Sequence, residues 1–123
     1  MKKILAVGAL LLCINSFGQN STSMIDGTWV GKGYQFNSNK TWSIVLTIDN
    51  GEYSIDYASI PCKSELKLLE ISANRVVFEE EIRKGICVRD GIVELEIIDS
   101  NSIIYKWSFS DGKPGAIAEL YKF

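Results

Sequence analysis

The chain has 123 residues, with 15 acidic residues, 13 basic residues, no histidine and a formal net charge of −2. This length fits one domain, and the acidic balance argues against a nucleic-acid partner. Without histidine, the chain excludes a Ser-His-Asp or Cys-His catalytic arrangement and an ordinary zinc site.

The first 18 residues are predicted to be a signal peptide rather than part of the fold. Two lysines precede an apolar run at 4–12 that is too short to span a bilayer, and small residues surround the expected cleavage site after Gly18. The protein is therefore expected to be exported, either periplasmic or secreted. The alternative is a lipoprotein anchored through Cys13, although Leu12 occupies the position where a lipobox has a small residue.

The mature chain is predicted to be all-β, with one domain at 26–123 after a flexible N-terminal segment at 19–25. Without Lys2 and Lys3 it keeps 11 basic against 15 acidic residues, a net charge near −4. It lacks helical periodicity and a second apolar run that could span a membrane. Eight strands are predicted, at 27–36, 42–49, 52–58, 64–72, 75–84, 91–98, 102–109 and 115–122.

Two hairpins show a clear register. Asn50-Gly51 is the preferred pair for a two-residue type I′ turn, and a three-residue turn at 99–101 keeps the apolar residues of the later hairpin on one face. The predicted pairs are Ile48–Tyr53, Leu46–Ile55 and Ile44–Tyr57 in the first hairpin, and Ile97–Ile103, Leu95–Tyr105 and Val93–Trp107 in the second.

The fourth strand has a less regular pattern. Leu66 and Leu68 share one parity whereas Leu69 has the other, so the strand either contains a bulge near Leu68 or is apolar on both faces. The choice decides the partner of Glu80 on the next strand. A bulge places Leu66 opposite Glu80, so that a tyrosine hydroxyl must satisfy the carboxylate. A regular strand places Lys67 there.

The short connections favour an antiparallel up-and-down meander. Closing eight strands into a barrel removes both exposed edges and leaves an interior that side chains fill or that holds one small ligand. A closed barrel is therefore preferred, and a β-sandwich is the alternative.

The opening of the first strand, Gly27-Thr28-Trp29, resembles the Gly-x-Trp signature of the calycins, the group that includes lipocalins and avidin. The resemblance implies that Trp29 plugs one end of the barrel and that Lys122, on the last strand, packs across its ring. Gly31 and Gly33 share the inward parity of Trp29 and are expected to let the strand bend and to leave room for aromatic rings.

A second resemblance covers about half of the chain. The stretches "IDYASIPCKSELKL", "VVFEEEIRKGIC" and "SIIYKW" are similar to extracytoplasmic domains of uncharacterised bacterial proteins, some of them attached to Ser/Thr kinases. This similarity implies a secreted or sensor-like module and names no ligand.

Cys62 and Cys87 are predicted to form a disulfide, because they are the pair that remains in an exported chain once the signal peptide is removed. In a meander both fall in the longer connections, which share one end of the barrel. The short turns and Trp29 share the opposite end. The end with the longer connections is therefore the predicted mouth.

The candidate ligand-binding residues lie inside the barrel or at this mouth. Glu80 shares the inward parity of Phe78, so it either binds a donor or cation of a ligand or is a structural acid paired within the fold. The inward aromatic residues either line a pocket or fill the core. The candidate set is Glu80, Trp42, Tyr57, Tyr105 and Trp107 inside, with Arg89 and Lys113 on a basic rim that either attracts an acidic ligand or protein or is an ordinary solvated surface.

The predicted function is binding without catalysis, with no cofactor and no metal. The ligand is expected to be a small apolar molecule in or at the mouth of the barrel. The alternative is a protein partner at the same end, as for small periplasmic inhibitors of lysozyme, and a minor possibility is an enzyme that uses Glu80. A cavity near 300 Å³ or larger would favour the small molecule.

Overall fold

The computed structural model describes residues 22–85 and 91–123, apart from the side chain of Arg83. The predicted signal peptide, Cys13, Cys87 and Arg89 lie outside the described residues.

Eight antiparallel strands form a closed barrel in simple sequence order. β1 and β8 pair with each other, from Trp29 opposite Lys122 to Gln35 opposite Ala116, so the fold is the barrel and not the sandwich. All eight predicted strands are present, and their ends differ from the prediction by at most two residues. The strands are β1 Gly27–Gln35, β2 Lys40–Asp49, β3 Glu52–Tyr57, β4 Cys62–Ser72, β5 Arg75–Gly85, β6 Ile92–Asp99, β7 Ser102–Ser108 and β8 Pro114–Lys122, preceded by a 3₁₀ helix at Ser23–Ile25.

The β2–β3 hairpin has the predicted turn and register. Asn50 and Gly51 have φ angles of 49° and 86°, the positive pair that a type I′ turn requires. Ile48 pairs with Tyr53 and Leu46 with Ile55. Local turn chemistry and burial therefore specify the same alignment.

The β6–β7 hairpin has the predicted pairs but a different turn. Ile97 lies opposite Ile103, as expected, yet Asp99 already pairs with Ser102, so the tip contains two residues and not three. An extra residue, Ile98, bulges out of β6 between these pairs and restores the alignment of the inward side chains. Asp99 Oδ1 stabilises the tip by accepting hydrogen bonds from the Asn101 backbone N–H at 2.8 Å and from Ser102 Oγ at 3.0 Å.

The bulge predicted in β4 is present. Leu68 pairs with Phe78 and Glu70 with Val77, so Leu69 is the additional residue, and its side chain is exposed. As a result Leu66, and not Lys67, lies opposite Glu80. The position of a single bulge thus decides the surroundings of the one buried acid among the described residues.

The end of the barrel with the short turns is closed by Trp29. This side chain is fully buried, and its Nε1 donates a hydrogen bond to the Ile25 carbonyl at 2.9 Å. Ile25 is buried as well, and Thr22 Oγ1 lies 2.9 Å from the Tyr53 hydroxyl. Residues 22–25, from the segment expected to be flexible, therefore pack against this end. Fully buried aliphatic side chains fill the space beside Trp29, namely Ile44, Leu46, Ile48, Ile55, Val76, Leu95, Ile103 and Leu120.

The two glycines after Trp29 make room for close neighbours, as their parity predicted. A Cβ atom on Gly33 would lie 2.4 Å from the Trp42 ring, and one on Gly31 would lie 2.1 Å from the Glu119 carbonyl oxygen. Both distances are too short for any side chain. Gly31 thus permits the close approach of β8, and Gly33 permits an aromatic ring inside the mouth.

Lys122 contacts Trp29 at the closed end, with Nζ 5.4 Å from the ring centroid. Because the lysine is exposed, Lys122→Ala is expected to lower the free energy of unfolding by about 0.5–1 kcal/mol, the usual size of an exposed cation–π contact. Urea unfolding followed by circular dichroism measures this change. Lys32→Ala, at an exposed position in the middle of β1, is the matched control, and an equal loss in both variants would contradict the contribution of the contact.

Candidate functional site

A cavity of about 250 Å³ opens at the end of the barrel that has the longer connections. Its wall includes five of the seven predicted ligand-binding residues, which the eight-stranded closure brings together from β2, β3, β5 and β7. The complete lining is Gln35, Trp42, Tyr57, Ile60, Cys62, Glu80, Tyr105, Trp107, Phe109, Gly115 and Ala116.

Glu80 forms the polar floor of this cavity. Its side chain points inward from β5 whereas Glu79 and Glu81 are exposed, and it is only 5% exposed. Its Oε2 accepts hydrogen bonds from the Tyr57 hydroxyl at 2.5 Å and from Ser64 Oγ at 2.7 Å. The other oxygen of the same carboxylate accepts a hydrogen bond from a residue on β7.

The indole of Trp107 is this third donor, because its Nε1 lies 2.8 Å from Glu80 Oε1. A carboxylate can accept about four hydrogen bonds, two on each oxygen. Both positions on Oε2 are filled, whereas Oε1 keeps one position that no donor among the described residues fills. This remaining acceptor position belongs to a side chain that lines the cavity.

The two buried tyrosines form an ordered relay with Glu80. The Tyr57 hydroxyl has one proton and donates it to the carboxylate, so it must accept the hydrogen bond from Tyr105, whose hydroxyl lies 2.8 Å away. Such chains of hydrogen bonds strengthen one another in a low dielectric. The direction of the relay, from Tyr105 through Tyr57 to Glu80, is thus fixed by the acceptor at its end.

The same surroundings keep both phenols protonated. Burial raises the pKa of Tyr57 well above its ordinary value, and the neighbouring Tyr105 and Glu80 raise it further. The pKa of Tyr105 is also raised, first by burial and then by the Glu80 carboxylate. Both hydroxyls therefore remain hydrogen-bond donors throughout the physiological pH range.

Glu80 has no basic partner within the described part of the chain. The ion pairs there join other residues, all of them on the surface of the barrel. The bulge in β4 is the reason, because it places the apolar Leu66 opposite Glu80 where a regular strand would place Lys67. Neutral hydroxyl and indole donors satisfy the carboxylate, and none of them cancels its charge.

The predicted aromatic set divides into two groups. Tyr53 and Phe78 pack together with their ring centroids 4.9 Å apart, toward the filled half of the barrel. The other group lines the cavity. There, Trp42 contacts the edges of Tyr57 at 5.2 Å and Tyr105 at 6.4 Å. The inward aromatic residues thus belong to the core in the closed half of the barrel and line the cavity in the half toward the mouth.

The sequence interpretation missed several residues of this site. Gln35, in the cavity wall, and Ser64, which donates to Glu80, have the inward parity of Gly33 and Leu66, so strand alternation alone would have found them. Gln35 Oε1 accepts a hydrogen bond from Trp42 Nε1 at 3.1 Å and fixes that ring at the rim. Ile60 lies in the connection between β3 and β4, where no periodicity indicates its direction.

Two glycines hold the ring of Trp107. A Cβ atom on Gly115 would lie 2.5 Å from this ring, and one on Gly91 would lie 2.1 Å from its Nε1 atom. Because any side chain at either position would displace the indole, both glycines help to direct its N–H toward Glu80.

Of the two predicted rim residues, Lys113 is the one that the structure describes. Lys113 is exposed in the connection between β7 and β8, its backbone N–H donates to Asp111 Oδ1 at 2.9 Å, and its side chain does not line the cavity. Arg89 lies outside the described residues. Cys62 is buried and pairs with Gly85, two positions before Cys87 in the sequence, so the disulfide stays a prediction that this register allows.

Comparison with protein-family models, with curated proteins and with solved structures gives no match. The described residues contain no cluster of acidic, cysteine or histidine side chains that could hold a metal ion. No helix within the same residues has the length and apolar character needed to cross a bilayer. The class that the fold defines is an eight-stranded antiparallel β-barrel, compatible with a calycin-like fold.

The Tyr57 hydroxyl is expected to contribute more stability than that of Tyr53. Tyr57→Phe removes a hydrogen bond to a buried carboxylate, which is worth about 1.5–3 kcal/mol, whereas Tyr53→Phe removes a neutral one worth about 0.5–1.5 kcal/mol. Urea unfolding of the two variants measures the difference. Equal losses would show that Glu80 gains nothing special from Tyr57.

The raised pKa values of Tyr57 and Tyr105 predict alkaline unfolding. Above a pH of about 10 the unfolded chain loses tyrosine protons that the folded chain retains, so stability falls as the pH rises. Below that pH these two groups leave stability unchanged. Tyrosinate absorbance should show that two of the five tyrosines ionise only when circular dichroism is lost. Ionisation of all five in the folded protein would contradict the buried relay.

Proposed function

We propose that this protein is an exported, non-enzymatic binding module that holds a small molecule in the cavity at the mouth of its barrel. The observation that carries the proposal is the division of the interior into a filled half and an aromatic-walled cavity of about 250 Å³. The resemblance of the Gly27–Trp29 motif to the calycins supports it, because barrels of that group commonly bind small ligands in this place.

The cavity limits the size of the ligand. Pockets for drug-sized molecules have volumes of about 300–1,000 Å³, and this cavity is smaller. At about 30 Å³ for each water molecule in the liquid, it corresponds to roughly eight waters or to an organic molecule of about a dozen non-hydrogen atoms. A molecule the size of a single aromatic ring with a short side arm fits this limit.

The hydrogen-bond network favours binding over acid–base chemistry. A general acid or base must reach a proton of the substrate directly or through one water molecule. Three donors already engage Glu80, and both neighbouring phenols keep their protons because their pKa values are raised. Such an arrangement presents a fixed set of hydrogen-bonding groups to a ligand.

A protein partner at the mouth is the second candidate. Apolar side chains are exposed on two of the connections there, with Phe36 44% and Ile60 40% exposed. A partner that covers this rim would bury both residues, as an inhibitor of a periplasmic enzyme would require. We favour the small molecule because the barrel contains a cavity of about 250 Å³, somewhat below the 300 Å³ set above, and is not filled throughout.

Native mass spectrometry of protein purified from its own host without refolding tests the proposal. The wild-type protein is expected to retain a small bound molecule. Ala116→Leu should lose it, because Ala116 is a buried wall residue and the larger side chain enters the cavity. Ala73→Leu, at the exposed turn of the closed end, is the control and should keep it.

Two outcomes would contradict the small-molecule proposal. One is a bound molecule that Ala116→Leu retains, which would place binding elsewhere. The other is a protein adduct that Phe36→Ser removes and Ala116→Leu does not, which would favour the rim and the second candidate.

A further inference from the structure

The floor of the cavity has a negative charge that the described side chains do not neutralise. Glu80 is buried, its three hydrogen bonds are all donated by neutral groups, and no ion pair among the described side chains, which leave out Arg83 and residues 86–90, includes it. Buried charges in proteins are normally paired, because removing an ion from water is costly. A ligand that brings a positive charge would supply the missing partner.

Among the described residues, the groups that face Glu80 are all neutral. On β3, β4 and β7 they are the hydroxyls of Tyr57, Tyr105 and Ser64 and the indole of Trp107, all neutral, and Leu66 lies opposite on β4. Lys67 and Lys113 are exposed to solvent. Glu80 is therefore the one charged residue in the described lining of the cavity, and its carboxylate attracts cations and repels anions.

The walls above this carboxylate are also suited to a cation. Trp42 and Trp107 line the cavity, and each N–H is already directed at an acceptor, Gln35 for the first indole and Glu80 for the second. Indole faces carry partial negative charge and are the strongest aromatic partners for ammonium groups. The rings therefore add to the attraction of the carboxylate.

We infer that the ligand of this cavity is a small organic ammonium ion, with an N–H donated to the open acceptor position of Glu80 Oε1 and its ammonium group beside the indole rings. The inference rests on the proposed binding function and specifies its ligand class. A neutral apolar ligand would cover the carboxylate and add no positive charge to a lining whose described residues supply none. A carboxylate ligand would place two negative charges in one small cavity.

Three probes of nearly equal size and shape test the charge preference at neutral pH: phenethylammonium, phenethyl alcohol and phenylacetate. Titration calorimetry with the wild-type protein should show that the ammonium binds at least about tenfold more tightly than the alcohol, the factor that one charged hydrogen bond supplies. Phenylacetate should bind least. This series needs no substitution, so it does not depend on the folding of any variant.

Two substitutions then assign the preference to Glu80. Glu80→Gln should abolish the tenfold preference for the ammonium over the alcohol, measured as the ratio of the two affinities in the same variant. Glu79→Gln changes the net charge equally on the exposed face of the same strand and should leave all three affinities unchanged. An equal loss with both variants would show a general charge effect and would overturn the inference.

The outcomes separate this inference from the proposed function. If the alcohol binds as tightly as the ammonium and Ala116→Leu abolishes both, the cavity binds neutral molecules and only the ammonium inference fails. If none of the three probes binds while Ala116→Leu still removes a native small molecule, the ammonium inference fails again. If ammonium binding survives Ala116→Leu, the site lies outside the cavity and both proposals fail.

Discussion

Pairing between β1 and β8 is the constraint on which the rest of this structure depends. The ladder runs from Trp29 opposite Lys122 to Gln35 opposite Ala116, and it converts an open meander into a barrel without edges. At one end of the ladder, Trp29, which closes the barrel, lies opposite Lys122. Its other end brings Gln35 and Ala116 into the wall of the cavity. A single set of backbone hydrogen bonds thus organises both ends of the barrel.

The interior changes character along the barrel axis, and Glu80 lies at the boundary. Aliphatic side chains and the Tyr53–Phe78 pair pack in the closed half. Toward the mouth the neighbours become aromatic rings with polar edges, and a cavity opens between them. The donors to Glu80 come from three different strands, so the network itself holds the open half in shape.

The sequence by itself determined the strands, which of their side chains point into the barrel, and one turn. Alternation placed Glu80, Trp42 and Trp107 inside, because successive side chains of a strand point to opposite faces. Asn50-Gly51 specified its turn through the positive φ angles that these residues tolerate. The same parity extends to Gln35 in the cavity wall and to Ser64, which donates to Glu80, so most of the site was present in the pattern. These features depend on residues that are neighbours in the chain, so they can be predicted from the sequence directly.

Only the tertiary structure decided which groups meet across the barrel. The bulge at Leu69 chose between Leu66 and Lys67 as the residue opposite Glu80, and the sequence allowed both because each parity accounted for part of β4. The bulge at Ile98 likewise replaced the expected three-residue turn. Whether the aromatic residues fill the barrel or line a cavity depended on how strands distant in sequence pack together. Such packing is a sum over the whole barrel, so no single stretch of the chain specifies it.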